Sequence, residues 1–119
     1  MYKNIILGRH GEDKACKYLE QNNYRIIERN FRCKQGEIDI IANDLSKNEL
    51  VFIEVKTRLN FNFGSPAQSV TFIKQKHLLS VANYYLFLNS INNCFIRFDV
   101  IEVFVKNSQI KVNHIKQIF

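Results

Sequence analysis

Proline is almost absent from this chain, glycine is scarce and cysteine is odd in number: Pro66 stands alone beside four glycines and Cys16, Cys33 and Cys94. There is no Pro/Gly-rich linker, internal repeat or low-complexity segment, so a single domain over residues 1–119 is expected. The cysteines are widely spaced, and no Cys-x-x-Cys pair or His-x-His cluster exists, which argues against a disulfide framework or a closed zinc site. They read as reduced, mostly buried thiols, and a cytoplasmic location is expected. Long apolar runs are missing as well. Ile5-Ile6-Leu7 is too short for the apolar region of a signal peptide, and nothing approaches the ~18 residues of a membrane span. No membrane partner is expected.

What is present is an ordinary globular balance. Hydrophobic residues make up 46% and charged residues 24%, which excludes disorder. A chain of this size buries roughly two-thirds of its unfolded surface, enough for a core without disulfides or a structural metal. The formal net charge of +6 favours polyanionic partners, and bears on association rather than on fold.

Periodicity orders the elements. Gly11, Ala15, Tyr18 and Leu19 form a helical stripe within Arg9 to Gln21. Strands are expected at Tyr24 to Phe31, Gly36 to Asn43 and Leu50 to Thr57, the last two joined by a polar hairpin loop. A loop follows with Phe61 and Phe63. Ser65 before Pro66 has the look of an N-cap, and Thr71 offers a second cap to a helix reaching Asn89. That helix places Leu78, Ala82, Tyr85 and Leu86 on one face. Phe95 to Val105 and Ile110 to His114 complete an α/β domain of order α-β-β-β-α-β-β, a central sheet flanked by helices.

Chemistry concentrates in Gly36-Glu37-Ile38-Asp39 and Glu54-Val55-Lys56. Strand alternation puts Glu37, Asp39 and Ile41 on one face, with Ile38, Ile40 and Ala42 on the other. On the next strand Leu50, Phe52, Glu54 and Lys56 oppose Val51, Ile53 and Val55. A hairpin pairing residues whose numbers sum to 93 sets Asp39 against Glu54, Glu37 against Lys56 and Ile41 against Phe52. Like charges about 4 Å apart repel by roughly 4 kcal/mol at an effective dielectric near 20. Water, a proton or a cation must relieve that. With Lys56 nearby and a further carboxylate from the first helix, two net negative charges remain, the charge that a divalent ion neutralises. Oxygen ligands suit Mg²⁺, with Mn²⁺ as a substitute. Alternation alone favours solvated charges on an outward face, against which Leu50, Phe52 and Ile41 make that face apolar, as in a sheet covered on both sides.

At these residues the sequence resembles the PD-(D/E)xK nuclease superfamily, with its restriction-endonuclease-like core. More narrowly it resembles the small bacterial YraN-type proteins, related to archaeal Holliday-junction resolvases. The resemblance runs through Gly8-Arg9-x-Gly11-Glu12, Asn30-x-Arg32, Gly36-Glu37-Ile38-Asp39, Val51 to Arg58, Phe63-Gly64-x-Pro66, Lys74 and Arg97-Phe98-Asp99-Val100. It departs from the superfamily's nominal Pro-Asp pair, since Ile38 precedes Asp39.

The resemblance implies a Mg²⁺-dependent endonuclease acting on DNA, branched or structured DNA included. Asp39 and Glu54 correspond to metal-binding carboxylates, and Lys56 to the lysine beside the attacking water. Glu12 sits where resolvase-like members carry an additional acidic residue, and the backbone of Val55 is a candidate further ligand. Glu37 is a candidate second carboxylate or an ion-pair partner. Arg9, Arg32, Arg58 and Lys74 are candidate phosphate contacts, with solvated surface charge as the plain alternative. His10, His77 and His114 are expected to be surface or packing residues, and Arg97 with Asp99 a structural ion pair. A resolvase-like role on two strands calls for a homodimer. A catalytically inactive DNA-binding or scaffold module of the same fold is the alternative function. An RNA-directed nuclease has less support, for want of an RNP-type aromatic motif.

Overall fold

The computed structural model describes residues 2–59 and 71–119, with side chains from His10 onward. In chain order it comprises α1 (Tyr2–Gln21), β1 (Tyr24–Cys33), β2 (Gly36–Asp44), β3 (Glu49–Arg58), α2 (Phe72–Leu88), β4 (Phe95–Lys106) and β5 (Gln109–Ile115). The strands form one sheet in the order β1-β2-β3-β4-β5. Only β3 and β4 run parallel, because α2 carries the chain back between them, and the other neighbours are antiparallel. This mixed sheet with a helix on each face is the expected α-β-β-β-α-β-β order, consistent with a restriction-endonuclease-like core. Among the described residues no helix is long and apolar enough to cross a membrane.

Two cores lie either side of the sheet. The stripe read from the sequence buries Ala15 and Leu19 of α1, with Tyr18 partly buried beside them, and Cys16 joins them against Ile40, Val51, Ile53 and Ile101. A Cβ on Gly11 would collide with Thr57 Oγ1, so glycine lets α1 lie close against β3. On the other face Val81, Ala82 and Tyr85 of α2 pack with Phe31, Ile41, Phe52 and Phe98. Phe52 stacks on Phe98 at 5.4 Å between centroids and meets Tyr85 edge-on. Each such side chain contributes about 1.5–3 kcal/mol by leaving water.

Element ends follow local chemistry. Thr71 caps α2, its side chain accepting the Lys74 N–H at 3.1 Å, and Asn89 closes the other end. The Ser65–Pro66 cap and the Phe61 and Phe63 loop lie outside the described residues. Asp44 Oδ1 accepts the N–H groups of Ser46 and Lys47 and tightens the β2–β3 turn. α1 begins at Tyr2, seven residues before the expected Arg9. Only one glycine interrupts Tyr2 to Arg9, and a helix tolerates that at about 1 kcal/mol. The cysteines are free thiols, but only Cys16 is buried; Cys33 is half-buried and Cys94 exposed. Cys94 falls just before β4, beyond the cover of either helix.

A buried polar group stabilises the α1 face. Arg97, with a side chain 4% exposed, donates through Nε and Nη2 to the two oxygens of Asp99, each at 2.9 Å. It also donates to Asp44 at 2.9 Å, Glu49 at 2.8 Å and the Tyr24 hydroxyl at 2.8 Å. His114 Nε2 lies 2.7 Å from Asp99, and its Nδ1 shares a 3.0 Å hydrogen bond with the Tyr18 hydroxyl. The expected ion pair is thus the centre of a larger network. Among the described residues no buried side-chain polar atom is left without a partner.

Candidate active site

The β2–β3 hairpin pairs Asp44 with Glu49 and Ile41 with Phe52, and ends at Ile40 with Ile53, in the register expected from the sequence. There the strands part. β3 continues beside β4 to Arg58, while β2 keeps its pairing with β1 back to Gly36. Into the split turns Asp39, whose Oδ2 accepts the Val55 N–H at 2.8 Å. A side chain therefore takes the bond a backbone carbonyl would have supplied. The expected oppositions of Asp39 to Glu54 and Glu37 to Lys56 as ladder pairs do not form. A strand residue directs its N–H and C=O to the same edge, so the Val55 carbonyl faces the split as well.

A local break in alternation explains the turn. Ile40 packs in the α1-side core, yet Ile38 packs with Phe31 in the α2-side core, beside Ile41. The expected common face of Ile38, Ile40 and Ala42 is therefore incorrect at Ile38. The cause lies across the ladder. Arg29 pairs with Ile40 and Phe31 with Ile38, which puts Asn30 opposite Asp39, and Asn30 adopts φ 54°. Asparagine tolerates this left-handed conformation better than most residues. Such a residue leaves the extended conformation of the strand at the position facing the break.

Beside the split lies a cavity of about 460 Å³ lined by Glu37, Asp39, Glu54, Val55, Lys74 and His77, among others. Lys74 Nζ of α2 reaches Glu54 Oε1 at 3.6 Å across it. Burial pushes the Asp39 carboxyl up to about 6; the Val55 N–H works against this, while Glu12, Glu54 and Glu37 add to it. The site carries more negative charge than its own cations neutralise. Among the described residues no three His, Cys, Asp or Glu side chains converge as a ready metal shell. Any hard cation here would rest on Asp39, Glu54 and the Val55 carbonyl, with water completing its coordination, as Mg²⁺ accepts.

The remaining sequence candidates divide. Glu12 projects from α1, next to the close approach at Gly11, and pairs with Arg29 at 3.2 Å, while Arg29 also holds Asp13 at 2.8 Å. Glu12 does not line the cavity, although its charge is the foremost of the carboxylates acting on Asp39. Lys56 is half-buried, sits in register with Glu102 of β4 and is not among the described residues lining the cavity. Arg58 pairs with Glu102 at 3.5 Å and Arg32 with Glu37 at 3.0 Å, so these two are engaged within the protein. The Arg9 side chain lies outside those described. Sequence reading set His77 aside and did not single out Gln35, which also lines the cavity, or Glu102, the partner of Arg58. His77 was legible as the i+3 neighbour of Lys74 on one helix face.

The fold and site define a small α/β protein with a carboxylate-rich split at the end of its sheet. Comparison with known proteins gives the family. Residues 11–103 match the profile described as Uncharacterised protein family UPF0102. A UPF0102 protein of Caldicellulosiruptor saccharolyticus is 48% identical over 115 residues, covering 95% of this chain and 96% of its own. One from Clostridium botulinum (strain Loch Maree) is 49% identical over 121 residues, covering 99% and 97%, and one from Clostridioides difficile is 47% identical over 112 residues, covering 94% and 95%. The chain belongs to the UPF0102 family, which is the YraN-type family its motifs resemble.

Proposed function

We propose that this protein is a metal-dependent nuclease that hydrolyses phosphodiester bonds in DNA, branched or structured DNA being its natural target. The observation that carries the reading is Asp39 held at the strand split by the Val55 N–H, beside Glu54, with its carboxyl pushed up to about 6. Carboxylates crowded out of water are a poor arrangement for stability and a good one for a hard cation. Mg²⁺ bound there would polarise a phosphoryl oxygen and lower the pKa of a bound water.

The chain's own residues have distinct parts. Asp39 and Glu54 hold the cation, with Glu12 in support through its field or a bridging water. Lys74, on the far wall of the cavity, trades its contact with Glu54 for a phosphate oxygen when substrate enters. Lys56 orients the attacking water and steadies the charge that develops on the phosphorus oxygens. The net charge of +6 draws the polyanion to an acidic centre. Because Lys56 does not line the cavity, a DNA-binding module without cleavage is the reading to test against.

Labelled linear duplex, single-stranded, flap and four-way-junction DNA and an RNA hairpin, each with Mg²⁺, Mn²⁺ or EDTA, separate these readings. Cutting of DNA with Mg²⁺ is expected, reduced at least about 100-fold in Asp39→Asn and Lys56→Ala while binding persists. Cleavage that survives EDTA would remove the metal. Tight junction binding without cutting under any metal would leave the binding module. Because a carboxylate must shed its proton to hold a cation, activity should rise with pH through about 6.

A further inference from the structure

Hydrogen-bond donors are scarce in the cavity beside the β2–β3 split. Among the described residues that line it, Glu37, Asp39, Glu54 and Asp99 are carboxylates, and only Gln35, Lys74 and His77 carry a side chain built to donate. A DNA strand brings one negative charge with each nucleotide. Where a cation on Asp39 and Glu54 answers one phosphate, the next still meets an acidic wall. Lys74 is held by Glu54 at 3.6 Å, while Arg32 and Arg58 are tied to Glu37 and Glu102. His77 and Gln35 are exposed, and among the described residues neither has a hydrogen-bond or ion-pair partner.

The two come together from different elements. Lys74, His77, Leu78 and Val81 stand at i, i+3, i+4 and i+7 on α2, within one arc of about 100°, and this stripe lines the cavity. The β1–β2 turn presses on the same stripe, since a Cβ on Gly36 would stand 3.2 Å from Val81 Cγ2. Val81 lies one helical turn beyond His77, so Gln35, next to Gly36, arrives beside the His77 ring. We propose that His77, with Gln35, is the binding site for the phosphate next to the scissile one. The inference rests on the nuclease reading and adds to it a second phosphate subsite, so that the substrate is a strand gripped at two successive phosphates. Residues i and i+3 of a helix have Cβ atoms about 5–6 Å apart. That step is comparable with the one between neighbouring phosphates of a strand, so Lys74 meets the scissile phosphate while His77 meets its neighbour. An imidazole donates an N–H whether neutral or charged, and the Gln35 amide offers two more. Contacts of this kind position the backbone without reading its sequence.

Binding followed by NMR tests this apart from cleavage. The full chain carrying Asp39→Asn, expected to bind without cutting, is titrated with the thymidine dinucleotide TpT, which has one phosphate, and the trinucleotide TpTpT, which has two. TpTpT should move the ring signals of His77 and leave those of His114, buried against Asp99, in place. Adding His77→Ala should weaken TpTpT about 10-fold and TpT far less, and Gln35→Ala should weaken TpTpT about 3-fold. His77→Arg, which returns a donor to the same place, should restore the binding of TpTpT. Because His77 and Gln35 are exposed, the amide spectrum away from the cavity should be unchanged in every variant. TpTpT bound with the His77 ring unmoved, or held equally well by His77→Ala, would overturn this subsite and leave the nuclease reading standing. Failure of both probes to bind, together with no cutting of DNA by the wild type, would overturn the two together.

Discussion

Asp39 and Asp99 both sit on interior strands of one sheet, and their surroundings act in opposite directions. For each, burial pushes the carboxyl up. At Asp99 the hydrogen bonds from His114, both arms of Arg97 and the Gln117 N–H outweigh that push and hold the group below its ordinary value. Asp44 is likewise held low, its burial overcome by Arg97 and the turn N–H groups. At Asp39 one N–H from Val55 stands against burial and three neighbouring carboxylates, and the group stays high. The Arg97 network answers its carboxylates with hydrogen bonds from within, whereas the split between β2 and β3 gives Asp39 only the Val55 N–H and leaves the rest to something that arrives. A structural cluster and a candidate site are told apart here by whether the carboxylates are hydrogen-bonded from within.

The largest expected effect comes from breaking the balanced side. Arg97→Met strands Asp44 and Asp99 without their cation, and removal of one partner from a buried pair costs about 3–5 kcal/mol. Urea unfolding should show the midpoint falling with an unchanged slope. The depressed carboxyls of Asp44 and Asp99 give wild-type stability that is full above the unfolded value near 3.8 and lost as pH falls through their lowered folded values. Arg97→Met should lose that acid-side transition.

Next, and opposite in sign, is Asp39→Asn. The folded carboxyl titrates near 6 and the unfolded one near 3.8, so between these values the folded state binds more protons and wild-type stability falls as pH rises. The gap corresponds to about 2–3 kcal/mol lost by pH 7, at the upper limit for a half-buried group. Asparagine keeps an oxygen for the Val55 N–H without the charge. Thermal unfolding at pH 7 should rise in the variant, and the downward slope between pH 4 and 6 should vanish. Millimolar Mg²⁺ should raise the melting temperature of the wild type and leave Asp39→Asn unmoved. If Asp39→Asn were destabilising, the two carboxylate groups would not differ as argued.

Much of this was legible beforehand, for identifiable reasons. The sum-93 hairpin register came from centring the turn between Ser46 and Lys47, one of the registers that match the apolar faces of β2 and β3, and Thr71 announced α2 by its own side-chain chemistry. The Arg97–Asp99 pair was visible as an i, i+2 spacing on a strand, but Tyr24, Asp44 and His114 join it only through the tertiary fold. The site was half readable. Strand alternation put Asp39 and Glu54 together and the resemblance named Lys74, whereas alternation misplaced Ile38 because no pattern of apolar residues reports a local break in it. Lys56 was placed by that same rule opposite Glu37, a pairing lost where the strands part.

Gly11→Ala probes how α1 presses Glu12 upon Asp39. The added methyl meets Thr57 and must push the helix from β3, a cost of about 1–3 kcal/mol offset in part by alanine's better helix propensity. A net loss of about 1–2 kcal/mol is expected. With Glu12 moved outward, the Asp39 titration followed by NMR should shift down from about 6. An unchanged titration would mean that burial and Glu54 suffice, and that α1 has no part in the imbalance.

The smallest expected effect carries the finest distinction. Asn30 holds φ 54° opposite Asp39, and a left-handed residue with a Cβ costs about 1–2 kcal/mol, less for asparagine and essentially nothing for glycine. Asn30→Ala should therefore lose up to about 1 kcal/mol, while Asn30→Gly stays within a few tenths. Stability alone would not separate a turn residue from a positioning one, but the site offers a second reading. If the break in alternation aims Asp39 at Val55, relaxing Asn30→Ala toward an ordinary strand conformation weakens that hydrogen bond. Faster exchange of the Val55 amide would then accompany the loss in Asn30→Ala and be absent from Asn30→Gly. The Arg97 network, which gathers at the Tyr24 end of β1 and the Asp44 end of β2, should keep its protection in both. Equal protection of Val55 in all three proteins would show that Asp39 finds its place without Asn30, and that the split is imposed by β3 and β4 alone.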